Sequence, residues 1–181
     1  MKSTSPLWID TVVVGAGVIG MMHCPGRRGM NVFPGGQDML SDLRAIRGWG
    51  ASALVSLMEK KEMEWFGVGD LPAKAAGLGL VHYHLPIADM DVPDERFEES
   101  WKSAGENLKD RLLSGESIVI HCLAGLGRTG TVAARLLIEL GTDPETAVRQ
   151  IRKARPGTIQ SMVQEVYVRR SKWKQYRDRA D

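Results

Sequence analysis

The sequence predicts an α/β fold: a single central, mostly parallel mixed sheet flanked by helices. Short apolar, β-branched runs of strand length alternate along the chain with segments of helical spacing, and that alternation is what a parallel sheet with crossover helices requires. Glycine and proline punctuate nearly every junction between the two kinds of segment, so the elements are well separated.

Leu7–Val14 reads as a strand through its Val12-Val13-Val14 run, and Val18–Met22 as a second strand ended by Pro25-Gly26. Gln37–Trp49 has helical spacing, with Leu40, Leu43 and Ile46 on one face. Ser52–Met58 is short and apolar, a buried strand. Lys60–Phe66 and Pro72–Ala76 read as short helices and Leu80–Leu85 as another strand, followed by a loop rich in proline and aspartate, Pro86–Asp94. A long helix is expected over Asp94–Leu113, closed by Gly115. Ser117–His121 is a strand, Gly125–Gly130 a glycine-rich loop and Thr129–Leu140 a helix ended by Gly141. Pro144–Ala154 is helical, with Asp143 as N-cap and Pro144 in the first position. Ser161–Arg177 is the last helix, with Met162, Val163, Val166, Tyr167 and Trp173 forming one apolar face.

A chain of 181 residues suits one compact domain spanning 1–181 with a sizeable core. Its formal net charge of +2 gives no reason to expect a nucleic-acid partner. Two cysteines far apart, Cys24 and Cys122, do not make a disulfide scaffold, and no His/Cys cluster has zinc spacing, so neither metal nor cofactor is expected. Thr11–Met22 is apolar enough to imitate a signal-peptide core. Asp10 directly before it, and the lack of an A-x-A site after it, point instead to a cytoplasmic protein. No stretch is long enough to span a bilayer, and no membrane partner is expected.

Gly15-x-Gly17-x-x-Gly20 imitates a dinucleotide-binding turn. It runs into Met21-Met22-His23-Cys24-Pro25-Gly26, where proline and glycine forbid the required helix. His82 and His84 share a strand face without a third ligand nearby and are read as packed or solvated. Cys24 is read as a small buried hydrophobe, with a redox partnership with Cys122 as its alternative. The basic end, Arg169, Arg170, Lys172, Lys174, Arg177 and Arg179, is read as a solvated helix face.

The chemistry is concentrated in Ser117-Ile118-Val119-Ile120-His121-Cys122-Leu123-Ala124-Gly125-Leu126-Gly127-Arg128-Thr129-Gly130. A buried strand delivers Cys122 to the sheet edge, and after five residues Arg128 closes a loop that opens a helix. Gly125 and Gly127 permit a tight path on which the backbone N–H groups of Leu123, Ala124, Gly125, Leu126 and Gly127 face inward, an anion cradle that Arg128 completes. The helix N-terminus adds partial positive charge. Such surroundings favour a thiolate over a thiol, the form that attacks phosphorus. Arg128 offers a planar fork for two phosphoryl oxygens at once. Thr129 can donate a hydrogen bond to the sulfur, and His121 orders the loop from behind.

His121-Cys122-x5-Arg128-Thr129 resembles the HCx5R[ST] signature of the cysteine-based protein-tyrosine and dual-specificity phosphatases; Gly125, Gly127 and Gly130 match as well. The resemblance implies that family's fold and a cysteine-dependent phosphomonoesterase that dephosphorylates phosphotyrosine, phosphoserine or phosphothreonine in phosphoprotein or phosphopeptide through a phospho-cysteine intermediate. It implies phosphate or sulfate bound in the loop; the sequence does not name the oligomeric state, and a monomer is the expectation. Within the superfamily the chain is most similar to the kinase-associated dual-specificity phosphatases and their bacterial relatives, through Pro86-Ile87-Ala88-Asp89, the Gly125-Leu126-Gly127-Arg128 run, Ile159-Gln160-Ser161-Met162-Val163-Gln164 and the early segment from Gly20 to Gly29. Leu123 and Leu126 stand where lipid phosphatases tend to carry lysines, which counts against an inositol-phosphate substrate.

The mechanism needs a carboxylic acid at the leaving oxygen. Asp89, Asp91 and Asp94 all precede the cysteine loop. The family pattern of proline, hydrophobic, any residue, acid falls on Asp89, with Asp91 second and Asp94 as cap of the next helix. The segment Arg155–Gln164 is similar to one that carries a water-orienting glutamine in several such phosphatases, and both Gln160 and Gln164 are candidates.

Overall fold

The computed structural model describes residues 7–27 and 38–170. A five-stranded sheet has the order β1-β2-β5-β3-β4, from β1 (Asp10–Val14), β2 (Gly17–Met22), β3 (Ala51–Ser56), β4 (Val81–His84) and β5 (Ser117–His121). Only β1 and β2 run antiparallel; β2, β5, β3 and β4 are parallel neighbours. The helices are α1 (Met39–Trp49), α2 (Lys60–Trp65), α3 (Leu71–Gly77), α4 (Glu95–Leu113), α5 (Gly127–Glu139), α6 (Pro144–Ala154) and α7 (Met162–Arg170). They flank the sheet, with α4 and α5 packing on β2 and β5, α1 on β3, and α6 on β1.

The register decides where chemistry can happen. Met22 pairs with His121, and Ser56 pairs with His121 from the other side. The carboxyl ends of β2, β5 and β3 therefore lie side by side, with Cys122 leaving the middle strand. This is the edge at which open α/β sheets place their ligands. Ile118, Val119 and Ile120 are fully buried, as a strand covered on both faces demands.

Thr11–Met22, apolar throughout, forms the β1–β2 hairpin, with Gly15 at φ 59 in its two-residue turn. Gly17 and Gly20 serve close packing: a Cβ on Gly17 would lie 2.4 Å from the carbonyl oxygen of Leu112. The chain continues as a strand, so no dinucleotide-binding turn forms. Among the described residues no helix is long and apolar enough to cross a membrane.

Helix α5 is buried along its whole length, so its charges must be paired. Arg135 holds Glu98 through both Nη atoms (2.6 and 2.8 Å) and Glu139 through Nε (2.7 Å), and its guanidinium lies 4.7 Å above the Trp101 ring. Glu139 also accepts from Trp101 Nε1 (2.9 Å) and pairs with Lys109 (2.9 Å). Burial opposes its charge, yet Arg135 and Lys109 hold the Glu139 carboxyl below its usual range. This network fastens α4 to the helix that carries the loop arginine.

The helix boundaries follow their caps. Asp94 accepts from Phe97 N and Asp143 from Thr146 N, as read from the sequence. Helix α5 begins at Gly127 rather than Thr129, so Arg128 sits in its first turn. The apolar face expected on the last helix is buried only in part: Tyr167 packs against the core, but Met162, Val163 and Val166 are 83, 52 and 41 % exposed, while Gln164 and Val168 are inside. The reason is hydrogen bonding. The Gln164 side-chain oxygen accepts from the amides of Gln160 and Ser161, and its nitrogen donates to Asp91 O, so the polar residue turns inward. Trp173, the remainder of that helix to Arg177, the basic residues Lys172, Lys174 and Arg179, and Gln37 lie outside the described residues.

Candidate active site

The loop that follows β5 is fastened by its carbonyls. Cys122 O faces His121 Nδ1 (3.2 Å), Leu123 O accepts from Cys24 N (3.1 Å), and Ala124 O and Gly125 O accept from Arg155 Nη2 (3.1 Å) and Nε (2.6 Å). Leu126 O accepts from Gly130 N (2.9 Å) and Ile159 N (3.4 Å), and Gly127 O from Thr131 Oγ1 (2.9 Å). No peptide bond in the described residues is cis. A trans peptide points its N–H opposite to its C=O, so the amides of Leu123, Ala124, Gly125, Leu126, Gly127 and Arg128 turn away from these anchors. Gly125 is at φ 73, and a Cβ there would sit 2.1 Å from Met22 O, so only glycine fits. Gly127 does not need positive φ. Its glycine makes room for Gln160 and Gln164, whose side-chain atoms would lie about 3.0 Å from a Cβ.

Arg128 is 1 % exposed and reaches the same place from the start of α5. Its Nη1 and Nη2 bind the two carboxylate oxygens of Glu62 at 2.7 Å each; Nη1 also donates to Ile87 O (3.1 Å), and Nη2 lies 3.0 Å from Asp89 Oδ1. Burial works against the guanidinium's charge, but Glu62, Cys122 and Asp89 together hold its pKa above the ordinary value. Nε is buried with no hydrogen-bond partner. A buried, charged N–H of this kind is able to donate to an anion. Cys122 is 3 % exposed. The Thr129 hydroxyl is buried and makes no hydrogen bond, so the bond to sulfur expected from the sequence is not formed here.

Glu62 was not found from the sequence. It stands in the first turn of α2, just after β3, and β3 is the neighbour of β5. The signal that could have found it is a carboxylate soon after the carboxyl end of a strand adjacent to the cysteine strand. Arg155 and Asp10 were likewise missed as a pair. Arg155 Nη1 binds Asp10 Oδ2 (2.6 Å) while its other nitrogens hold the loop carbonyls, so one side chain ties β1 to two peptide planes of the loop. Arg155→Ala is expected to weaken tungstate binding by roughly tenfold or more, because it frees the peptides that aim the Gly125 and Leu126 amides. Arg155→Lys should recover little, since an ammonium cannot span three acceptors in fixed directions. Calorimetric titration with tungstate checks both.

The acid loop turns tightly at Ala88–Asp91: Asp91 N donates to Ala88 O (3.1 Å), with Met90 at φ 62. The turn sends Asp89 to Arg128. Asp91 instead caps its own loop by accepting from Val92 N (2.8 Å), and Asp94 caps α4. Of the two glutamines, Gln160 reaches the loop, its Oε1 accepting from Gly127 N (3.1 Å). Gln164 is fully buried with both ends of its amide engaged, a brace between the start of α7 and the acid loop. Ile159, β-branched and at φ 56, holds the strained conformation that delivers Gln160; its 2 % exposed side chain and the Arg152 bond to its carbonyl (3.2 Å) maintain it.

Cys24 lies beside the loop and is fully buried. Burial first, and the neighbouring Cys122 second, push its thiol up to about 12, so it stays protonated at neutral pH. His84 Nε2 meets Met58 O (2.8 Å), and His82 Nε2 meets Ser56 Oγ (2.8 Å); both rings are packed against protein partners. Among the described residues no group of three or more His, Cys, Asp or Glu could hold a metal ion.

Residues 28–142, more than half of the chain, match the family described as "Polymorphic toxin system, DSP-PTPase phosphatase". The chain is 41 % identical over 83 residues to the probable protein tyrosine phosphatase type IVA A of Dictyostelium discoideum, a stretch covering 45 % of this chain and 49 % of that protein. It is 29 % identical over 153 residues to human cyclin-dependent kinase inhibitor 3, covering 83 % of this chain and 69 % of that one. A solved kinase-associated phosphatase whose catalytic-site cysteine is replaced by serine superposes with a TM-score of 0.81 at 26 % identity, covering 92 % of this chain and 94 % of the other. With a family match over most of the sheet and a superposition over nearly the whole chain, this protein belongs to the DSP-PTPase family and is a cysteine-based phosphatase of the protein-tyrosine/dual-specificity type.

Proposed function

We propose that the chain is a single-domain, cytoplasmic enzyme that dephosphorylates phosphoproteins through a phospho-cysteine on Cys122. The observation that carries this reading is the state of Arg128: buried, oriented by Glu62 through both Nη atoms, and left with an unpartnered Nε beside the cysteine loop. The phosphoryl group binds with its oxygens on the inward amides of Leu123, Ala124, Gly125, Leu126 and Arg128 and on the Arg128 guanidinium, where it takes the place of Asp89 at Nη2, while the Gly127 amide stays on Gln160 Oε1. The Cys122 thiolate attacks phosphorus, the S–P bond forms and the P–O bond to the leaving group breaks. The leaving oxygen takes a proton from Asp89.

In the second half a water attacks phosphorus, Asp89 as carboxylate accepts its proton, and the S–P bond breaks to release inorganic phosphate and the thiolate. Gln160, already on the Gly127 amide, is the glutamine that orients this water; Gln164 braces the acid loop. Thr129 turns its hydroxyl to the sulfur as the thiolate departs, and His121 holds the loop from behind. Both described cysteines are free, which suits a reducing cytoplasm, and the enzyme works as a monomer without metal or cofactor, membrane or nucleic acid.

The protein tyrosine phosphatase relative and the DSP-PTPase family match support phosphoprotein as the substrate class, with phosphotyrosine, phosphoserine and phosphothreonine all within reach of the proposal. A panel of phosphopeptides and inositol phosphates, with Cys122→Ser used as a trap, tests this. The reading expects turnover and trapping on phosphopeptides, and turnover confined to inositol phosphates would overturn it. Asp89→Asn is expected to slow alkyl phosphates by about 10²–10⁴ and aryl phosphates with good leaving groups far less, since only a poor leaving group needs the proton. Steady-state rates across a leaving-group series measure the difference.

A further inference from the structure

Three polar side chains on neighbouring strands line up behind the cysteine loop. His121 ends β5, Ser56 ends β3 directly opposite it, and His82 on β4 pairs with Leu54, two residues before Ser56 and so on the same face. Ser56 Oγ lies 2.6 Å from His121 Nε2 and 2.8 Å from His82 Nε2, and His121 Nδ1 lies 3.2 Å from Cys122 O. His121 and Ser56 are fully buried and His82 is half-buried.

The partners assign every proton. A carbonyl oxygen only accepts, so His121 carries its proton on Nδ1. Complete burial pushes His121 down to about 3, so at neutral pH it has that one proton and a bare Nε2. Ser56 must therefore donate its O–H to Nε2, which leaves its lone pairs to accept from His82 Nε2–H. The chain runs one way, from His82 through Ser56 and His121 to the Cys122 carbonyl. Holding that carbonyl turns the Leu123 amide to the opposite side.

We propose that Ser56 and His82 are positioning residues of the cysteine loop: they lock His121 in the Nδ1–H tautomer that fastens Cys122 O and thereby aims the Leu123 amide. The proposal rests on the reading of this loop as the catalytic one, but the tautomer can be read without turnover. Without the Ser56 hydroxyl the proton is free to move to Nε2, and two lone pairs then face each other across the Nδ1–carbonyl gap.

The test measures the ring ¹⁵N signals of His121 together with kcat and KM for the native protein, Ser56→Ala, His82→Phe and His82→Gln. The expected result is Nδ1–H in the native protein and a mixture of tautomers in Ser56→Ala, with kcat/KM down roughly tenfold, less than for outright loss of an oxyanion donor. His82→Phe should fall in the same direction and His82→Gln, which keeps a donor at similar reach, should recover most of the rate. Should Ser56→Ala not fold, the His82 pair decides alone, since that side chain is only half-buried. A pure Nδ1–H tautomer in Ser56→Ala, a mixed tautomer with unchanged kcat/KM, or equal rates in His82→Phe and His82→Gln would each overturn the proposal. If Cys122→Ser retained turnover while the tautomers behaved as expected, the functional reading would fail and the hydrogen-bond chain would stand.

Discussion

Cys122→Ser is expected to lower turnover of any phosphomonoester by more than about 10⁴-fold, the scale seen when an enzyme loses its nucleophile. Serine differs by one atom, and the site's other parts do not depend on sulfur. The loop is held by its carbonyls, and Arg128 is held by Glu62, Asp89 and Ile87 O. Melting temperature and tungstate affinity should therefore change little while the rate collapses. The reason is chemical: an alcohol is a far weaker nucleophile than a sulfur in the same position. Stopped assays on an aryl phosphate, with tungstate calorimetry on the same samples, separate lost chemistry from lost binding.

Arg128→Lys should have the second largest effect and the opposite pattern. The guanidinium fills three roles at once: a two-pronged pair with Glu62, a bond to Ile87 O and an open Nε. A lysine ammonium can replace one of these directions only. Glu62 would be left half-paired next to the bound phosphate, adding like-charge repulsion to the lost donors. Loss of kcat/KM by at least about 10²–10³ is expected, with tungstate binding weakened in parallel. Retained tungstate affinity in Arg128→Lys would mean that the loop amides bind the anion without the arginine's help.

What could be read from the sequence was what is local. The run Ile118–Ile120, the cysteine, the glycines and the arginine lie within one strand–loop–helix unit, so spacing alone gave the cradle. Asp94 and Asp143 were legible as caps because a cap acts three residues away. Glu62 was not, since it meets Arg128 across 66 residues and through a neighbouring strand whose place in the sheet no local pattern reveals. Arg155 and Asp10, 145 residues apart, were hidden for the same reason. The last helix was misread for a different one. Periodicity counts a glutamine as polar and turns it outward, but Gln164 finds three backbone partners inside, and Met162 and Val163 are left in solvent. The Thr129 hydroxyl shows a further limit: residue type allows a bond to sulfur, and only the rotamer decides whether it is made.

Sulfur at position 122 is expected to take the phosphoryl group. With Asp89 as the proposed base of the second half-reaction, Asp89→Asn treated with an aryl phosphate of good leaving group should accumulate the intermediate. Rapid quenching followed by mass spectrometry of the peptide containing Cys122 should find one phosphoryl group on its sulfur, absent in the Asp89→Asn, Cys122→Ser double variant. Turnover with no phosphoryl group on Cys122, or with the label on another residue, would contradict it.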